Sequence, residues 1–143
     1  MASTSAAIEV PVSASQVWQL IGGFNSLPDW LPFVRHSELS EGGRVRNLKT
    51  ADGQSIVERI EAFDEQGRSY SYSFVEAPFP AKDYLATLSV QEIAGNATSV
   101  VQWSGSFTPV GVGDDEVTDL FHGIYVEGLA ALKQSLAAMQ SVD

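Results

Sequence analysis

Short turns that divide residues 33–108 constrain the fold of this 143-residue chain more than any other feature. Asp52-Gly53 is the clearest of them, since Asp-Gly between two extended runs is a strong hairpin signal. The other turns are Glu41-Gly42-Gly43, Glu65-Gln66-Gly67 and Gly95-Asn96. Connections this short force neighbouring strands to run antiparallel, because parallel pairing needs a long crossover. The sequence therefore predicts a six-strand antiparallel meander, with strands at about Val34–Ser40, Arg44–Thr50, Gln54–Phe63, Arg68–Val75, Lys82–Ile93 and Ser99–Phe107.

Helical signals lie on both sides of this meander. Ser5–Val12 alternates weakly, which predicts a first strand added at a sheet edge. Ser13 and Gln16 then form a capping box for one short helix, and Asn25 can cap a second short helix that Pro32 ends. Near the C-terminus apolar residues recur at spacings of three and four, at Val117, Leu120, Phe121, Ile124, Gly128, Leu132 and Leu136.

The C-terminal periodicity predicts a helix from Asp115 to about Gln140. At about 1.5 Å per residue that helix would be roughly 39 Å long. It can bury its apolar stripe only by lying across a sheet that curves around it. We therefore predict one α+β domain over residues 1–143, with about seven antiparallel strands wrapped around the long helix.

Composition limits the classes of partner. The net charge of −10 argues against nucleic acid or an anionic membrane as a partner, because both are polyanions. The chain has no cysteine, and its two histidines, His36 and His122, are far apart in sequence, so we expect no metal and no cofactor. No apolar run is long enough to span a bilayer and Met1–Ala7 lacks the pattern of a secretory signal, which predicts a cytoplasmic protein. Composition leaves monomer and homodimer both open.

The stretch from Gln54 to Val90 carries the clearest sign of a site. Strand alternation puts Glu58 on the same face as Ile56 and Ile60, and gives the next strand an aromatic face of Tyr70, Tyr72 and Phe74. An ionised carboxylate on an apolar face is costly, so Glu58 should be paired, hydrated or raised in pKa. Whether Glu58 is a paired structural residue or a catalytic one stays open. The pattern suggests that the concave face of the sheet is lined rather than simply packed.

The order of elements and several short motifs resemble the START-like, or Bet v 1-like, superfamily. This superfamily includes the polyketide cyclase/dehydrase group and the plant abscisic-acid receptors. The resemblance covers nearly the whole chain, and its residues are Ser15-Gln16-Val17-Trp18 with Phe24, Trp30-Leu31-Pro32-Phe33-Val34, Glu58-Arg59-Ile60 with Asp64, Asp83-Tyr84, Val101-Gln102-Trp103, and Tyr125-Val126-Glu127-Gly128-Leu129 leading to Leu132-Lys133. It implies a helix-grip fold with a deep cavity between sheet and long helix, used for hydrophobic or amphipathic small molecules.

The resemblance also suggests roles for single residues. Arg35 stands where the hormone receptors have a basic residue that meets a carboxylate, and Glu58 and Tyr84 match two of their polar ligand contacts. A third acid of the receptors is replaced here by Trp103. The receptors' gate and latch loops are not reproduced, so we reject hormone-receptor function and keep the cavity. We expect Arg35 to enter that cavity and contact Glu58, although a solvated Arg35 is the plain alternative.

These considerations give two sets of candidate residues, each of which could instead belong to an ordinary core or loop. The expected ligand-binding residues are Arg35, Glu58, Tyr70, Tyr72, Phe74, Tyr84, Trp103, Phe121, Ile124 and Gly128, with further apolar surface from Leu39, Val45, Ile60 and Leu88. The expected entrance residues are Trp30, Asp52, Gly53, Pro78, Phe79 and Pro80.

Three functions fit these expectations. The first is binding of a small hydrophobic or amphipathic ligand, lipid-like or polyketide-like, in the cavity. The second is a cyclase, aromatase or dehydrase in which Arg35 stabilises an enolate, Glu58 moves a proton and Tyr84 donates a hydrogen bond. The third is a co-chaperone-like module that binds proteins through an apolar patch on the outer sheet face.

Overall fold

The structure of the chain, a computed structural model, describes residues 1–93, 95 and 97–140. Its elements in chain order are β1 (Ala2–Val10), α1 (Ala14–Ile21), α2 (Leu27–Trp30), β2 (Val34–Ser40), β3 (Val45–Thr50), β4 (Ser55–Asp64), β5 (Ser69–Glu76), β6 (Ala81–Glu92), β7 (Ser99–Pro109) and α3 (Asp114–Gln140). Asn96, half of one predicted turn, lies outside the described residues. None of the described helices is long and apolar enough to cross a membrane.

The seven strands form one antiparallel sheet in the order β1-β7-β6-β5-β4-β3-β2. Sequence neighbours pair from β2 to β7, which confirms the predicted meander, and β1 joins it at an edge by pairing with β7. The long α3 packs against β1 and β7. The predicted α+β helix-grip fold is therefore confirmed.

Local signals explain both short helices. Ser13 Oγ accepts a hydrogen bond from the Gln16 backbone N–H at 3.3 Å, which confirms the predicted cap of α1. The predicted cap of α2 is wrong by one residue, because Ser26 occupies that position. Asn25 is used elsewhere, since its Oδ1 accepts a hydrogen bond from Ser37 Oγ at 2.6 Å.

Bulges bend the sheet around the core. The pairing register shifts at Arg35 between β2 and β3, at Val57/Glu58 between β4 and β5, and between Lys82 and Leu85 on β6. The β5–β6 pairing ends at Ser73↔Leu85, although both strands continue further. Beyond this last pair the chain forms a loop, residues 77–80, that turns its aromatic residue, Phe79, towards α3.

Two glycines allow the sheet and α3 to approach closely. A Cβ atom on Gly128 of α3 would lie 2.7 Å from Trp103 Cζ3 and 3.0 Å from Leu31 Cδ1. A Cβ atom on Gly105 of β7 would collide with the Tyr125 hydroxyl group. These positions let Trp103 and Tyr125 occupy the space between the layers.

Gly128→Ala should therefore destabilise the protein even though Ala is the better helix former. Overpacking of this kind typically lowers the free energy of unfolding by about 1–3 kcal/mol. The matched control is Gly123→Ala in the same helix, where a Cβ atom meets no atom within 4 Å. There we expect a gain of up to about 1 kcal/mol, since only helix propensity changes. Urea unfolding of both variants tests this, and equal effects of the two substitutions would contradict the packing described.

Candidate ligand-binding site

A buried ion pair lies at the centre of the concave face. The β3–β4 register places Arg46 directly opposite Glu58, and Arg46 Nε donates to Glu58 Oε1 at 2.7 Å. Arg46 is 1% exposed and Glu58 is 5% exposed. Charged residues are rarely buried this deeply unless they are paired. The ion pair with Arg46 therefore explains how the negative charge of Glu58 is accommodated on an apolar strand face.

The rest of the Arg46 guanidinium group is also held by the protein. Its Nη1 donates to the Phe24 carbonyl oxygen at 3.0 Å and to the Tyr70 hydroxyl group at 3.2 Å. Its Cζ lies 4.2 Å from the Phe24 ring centroid and 4.8 Å from that of Tyr72, distances at which an aromatic face attracts a cation. Arg46 thereby links β3 to β4, to β5 and to the segment between α1 and α2.

Burial and ion pairing change the pKa of both Glu58 and Arg46. Burial raises the pKa of Glu58 above its ordinary value, and the charge and hydrogen bond of Arg46 offset part of that rise. Burial by itself would lower the pKa of Arg46, but Tyr70, Glu58 and Tyr72 together hold it above its usual value. The guanidinium group therefore stays charged, while Glu58 is easier to protonate than an exposed glutamate.

Glu58 borders a small cavity between the sheet and α3. Its volume is about 40 Å³, which is room for a few water molecules. The expected deep cavity is therefore nearly closed in this structure. Its walls are mostly apolar and aromatic, formed by Leu27, Leu31, Phe33, Val34, Arg46, Leu48, Ile56, Glu58, Tyr72, Phe74, Phe79, Tyr84, Trp103, Phe121 and Ile124.

Buried hydroxyl groups add polar atoms to these walls. Trp103 Nε1 donates to the Tyr72 hydroxyl oxygen at 3.0 Å, and the Tyr72 hydroxyl group also interacts with that of Tyr84. The Tyr84 and Tyr125 hydroxyl groups are hydrogen-bonded to each other. Burial raises the pKa of Tyr72, Tyr84 and Tyr125 above the usual range, so all three remain protonated at neutral pH.

A second pocket adjoins the cavity on the solvent side. Its volume is about 390 Å³, and it is lined by Leu31, Pro32, Phe33, Gln54, Phe79, Leu120, Ile124, Glu127, Gly128 and Ala131. Leu31, Phe33, Phe79 and Ile124 border both spaces and form the partition between them. Phe79 packs at 5.6 Å from the Phe74 ring and at 5.3 Å from the Phe121 ring.

The structure brings most of the expected ligand-binding residues together. Glu58, Tyr72, Phe74, Tyr84, Trp103, Phe121 and Ile124 line the cavity, and Gly128 lines the outer pocket. Tyr70 is buried beneath them as a partner of Arg46. Among the further apolar residues Leu39 is 41% exposed, so it does not contribute.

The expected contact between Arg35 and Glu58 is wrong. Arg35 is exposed, because it sits in the β2 bulge and has no cross-strand partner on β3. Arg46 takes its place beside Glu58, and sequence reasoning missed it. Strand alternation could have indicated that Arg46 faces inward, because it puts Arg46 on the same face as Leu48 and Thr50.

The expected entrance needs one correction as well. Trp30 is 1% exposed and packs against Trp103 at 6.1 Å between ring centroids, so it belongs to the core. Phe79 does border the outer pocket, while Asp52 and Gly53 lie in the exposed turn just before Gln54, another of its lining residues. Pro78 and Pro80 flank Phe79 without lining either space. Among the described residues no group of three His, Cys, Asp or Glu side chains could hold a metal ion.

The raised pKa of Glu58 predicts a pH dependence of stability. Between the ordinary pKa of 4.5 and the higher folded pKa, the folded protein binds more protons at Glu58 than the unfolded chain does. The contribution of Glu58 to the free energy of unfolding therefore falls as pH rises through that window. We expect the difference in unfolding free energy between wild type and Glu58→Gln to fall likewise, measured by urea unfolding at several pH values. A difference that grows with pH would show that the folded pKa is depressed instead.

Comparison with known proteins agrees with this architecture. The family described as "Polyketide cyclase / dehydrase and lipid transport" matches residues 1–137. No curated protein matches the chain. The structure of XoxI from Bacillus cereus is 54% identical in sequence, with a TM-score of 0.94 over 98% of this chain and 99% of that one.

Two more distant structures share the fold. A START superfamily protein from Mycobacterium smegmatis is 19% identical, with a TM-score of 0.76 over 96% of this chain and 98% of that one. The Zhui aromatase/cyclase from Streptomyces sp. R1128 is 14% identical, with a TM-score of 0.75 over 96% of this chain and 92% of that one. The family match over nearly the whole chain leads to one conclusion: the chain belongs to the polyketide cyclase/dehydrase and lipid transport family.

Proposed function

We propose that the protein binds one small hydrophobic or amphipathic molecule between the sheet and α3. The observation that carries this proposal is the lining of the cavity, in which aromatic and aliphatic walls surround Glu58 and the Tyr72 hydroxyl group. Small-molecule sites commonly have mostly apolar walls with a few convergent polar groups that fix orientation. The family description, which includes lipid transport, points in the same direction.

The ligand would occupy both the cavity and the outer pocket. The inner volume of about 40 Å³ is far below the roughly 300–1,000 Å³ of typical ligand sites, whereas the outer 390 Å³ lies within that range. Phe79 is the best-placed part of the partition to move, because its loop follows the point where the β5–β6 pairing ends. Displacing its ring would join the two spaces.

The charges of the site favour an uncharged ligand. Among the described residues that line the cavity, Arg46 is the one cation, and Glu58, Tyr70 and the Phe24 carbonyl group already engage it. A ligand carboxylate would meet no free cation and would approach a chain with a net charge of −10. We expect a flat or flexible apolar molecule with one hydroxyl or carbonyl group directed at Glu58 or Tyr72.

Native mass spectrometry of the purified protein tests the proposal. We expect either one bound small molecule or 1:1 binding of the neutral apolar probe N-phenyl-1-naphthylamine. Ile124→Trp should weaken binding of that probe at least tenfold, because the larger ring fills the partition between the two spaces. The matched control is Gln134→Trp, at an exposed position of the same helix, which should bind as wild type does. Equal binding by both variants would place the probe outside the cavity.

A catalytic version of the same site is the second candidate. It is favoured by a buried carboxyl group of raised pKa that borders the cavity, an arrangement common in general acid–base catalysis. Ionised Glu58 would take a proton from the carbon between two carbonyl groups of a poly-β-ketone. The Tyr72 hydroxyl group would donate a hydrogen bond to the resulting enolate oxygen. Arg35, being exposed, has no part in this version, and the Tyr84 hydroxyl group is engaged by Tyr125.

Glu58→Gln separates the two versions of the site. If Glu58 is the base, turnover of a poly-β-ketone substrate should fall by about 10²-fold or more, since proton transfer by a positioned group typically contributes that much. Binding of the neutral probe should stay within severalfold of wild type. Unchanged turnover in this variant would exclude Glu58 as the base and leave the binding function alone.

The described outer sheet face does not favour a protein-binding module of the expected kind. Such a module needs an apolar patch, but the strand residues there are mostly Ser, Thr and Gln, as in Ser71, Thr87, Gln102 and Ser104. Val75 and Leu85 are the exposed large apolar residues of β5 and β6, and the cross-strand partners of Leu85 are Ser73 and Ser106.

A further inference from the structure

The free edge of β1 lacks the features that usually protect a sheet edge. β1 runs for nine residues, pairs with β7 without a register shift, and pairs with no other described strand. Its residues from Ala2 to Ile8 include no charge and no proline, and Glu9, near the end of the strand, is its one charged side chain. An exposed edge strand presents unpaired backbone N–H and C=O groups, so a long, regular and uncharged edge is a template for pairing with another strand.

The opposite edge of the same sheet, β2, has features that protect it from pairing with another strand. β2 is interrupted by the bulge at Arg35, and its exposed side chains include Arg35, His36 and Glu38. Bulges and charges are two of the usual means of keeping an edge from pairing. The two edges of one sheet therefore differ, and β1 is the one left able to pair.

The charge pattern indicates what pairs with β1. The exposed residues of the strand between Ala2 and Ile8 are Ser3, Ser5 and Ala7, and the neighbouring β7 presents Gln102, Ser104 and Ser106 on the outer face. In a chain of net charge −10, a second copy can approach this uncharged surface with little like-charge repulsion.

The helix beside β1 adds complementary groups. His122 of α3 lies 3.2 Å from Thr4 of β1, measured between Nδ1 and Oγ1, and Val126 one turn further along is 45% exposed. Asp119 and Lys133 stand two turns before and two turns after Val126 on the same helical face. A two-fold axis near Val126 would therefore bring Asp119 of each copy towards Lys133 of the other.

We propose that two copies of this chain associate through antiparallel pairing of their β1 strands around such a two-fold axis. Self-pairing of one strand is isologous, so it closes as a dimer rather than growing into a filament. The ladder joins the two seven-stranded sheets at their edges and sets the two α3 helices side by side. No residue of β1 lines the cavity or the outer pocket, so the strand pairing itself fills neither space.

Sedimentation equilibrium of the full chain tests the proposal. We expect a reversible dimer with a dissociation constant below about 1 mM, the weak end of specific association. Ser5→Lys should weaken it at least tenfold, because a charge in the middle of the edge is a known protection. Gln102→Lys makes the same change of charge on the same sheet face, one strand inward, and should leave the dimer intact. If the protein were still monomeric at a concentration of about 1 mM, or if Ser5→Lys did not weaken the dimer, the proposal would be overturned.

Cysteine cross-linking provides a second readout that does not depend on affinity. The chain has no cysteine, so Ser5→Cys introduces a single thiol. With diamide as the oxidant, this variant should form an intermolecular disulfide across the two-fold axis much faster than Gln102→Cys. Equal rates of cross-linking in the two variants would contradict the pairing of β1 strands.

Discussion

The buried pair of Arg46 and Glu58 is the interaction on which the rest of the site depends. Removing one member of a buried pair typically destabilises a protein by about 3–5 kcal/mol, because the other charge is left without compensation. Here the loss would reach further, since Arg46 also binds the Phe24 carbonyl group and the Tyr70 hydroxyl group. One guanidinium group thus holds β3, β4, β5 and the segment before α2 in a fixed relation.

This pair also sets the chemistry that the cavity can offer. Because Arg46 is fully engaged, it does not serve as an anion anchor, and Glu58 keeps a carboxyl group at the cavity wall with a raised pKa. The Tyr72 hydroxyl group accepts from Trp103 and interacts with the Tyr84 hydroxyl group. The site therefore combines a carboxyl group and buried hydroxyl groups with a largely aromatic surface, an arrangement that suits an uncharged ligand and is also compatible with proton transfer.

Much of the fold follows from the sequence because its signals are local. Short turns and a helical period of three and four are properties of neighbouring residues, and they predicted the seven strands and α3. Which residue pairs with Glu58 depends instead on the pairing register of β3 and β4. A two-residue Asp52-Gly53 loop would put Arg59 opposite Arg46, whereas Thr50 hydrogen-bonds to Gln54 across a three-residue loop and brings Glu58 there. The exposure of Arg35 arises from a bulge, and the small cavity volume arises from how rings pack, neither of which is a local property.

Ligand binding between the sheet and α3 is tested most directly by following the Trp103 indole N–H and the outer-face amides by NMR during titration with a neutral apolar probe. Trp103 lines the cavity and donates to Tyr72, so its indole resonance reports on that space. We predict a saturable shift of this resonance, with the amides of Thr87 and Ser104 nearly unmoved. Shifts confined to the outer-face amides, with the Trp103 indole unchanged, would contradict a binding site between the sheet and α3.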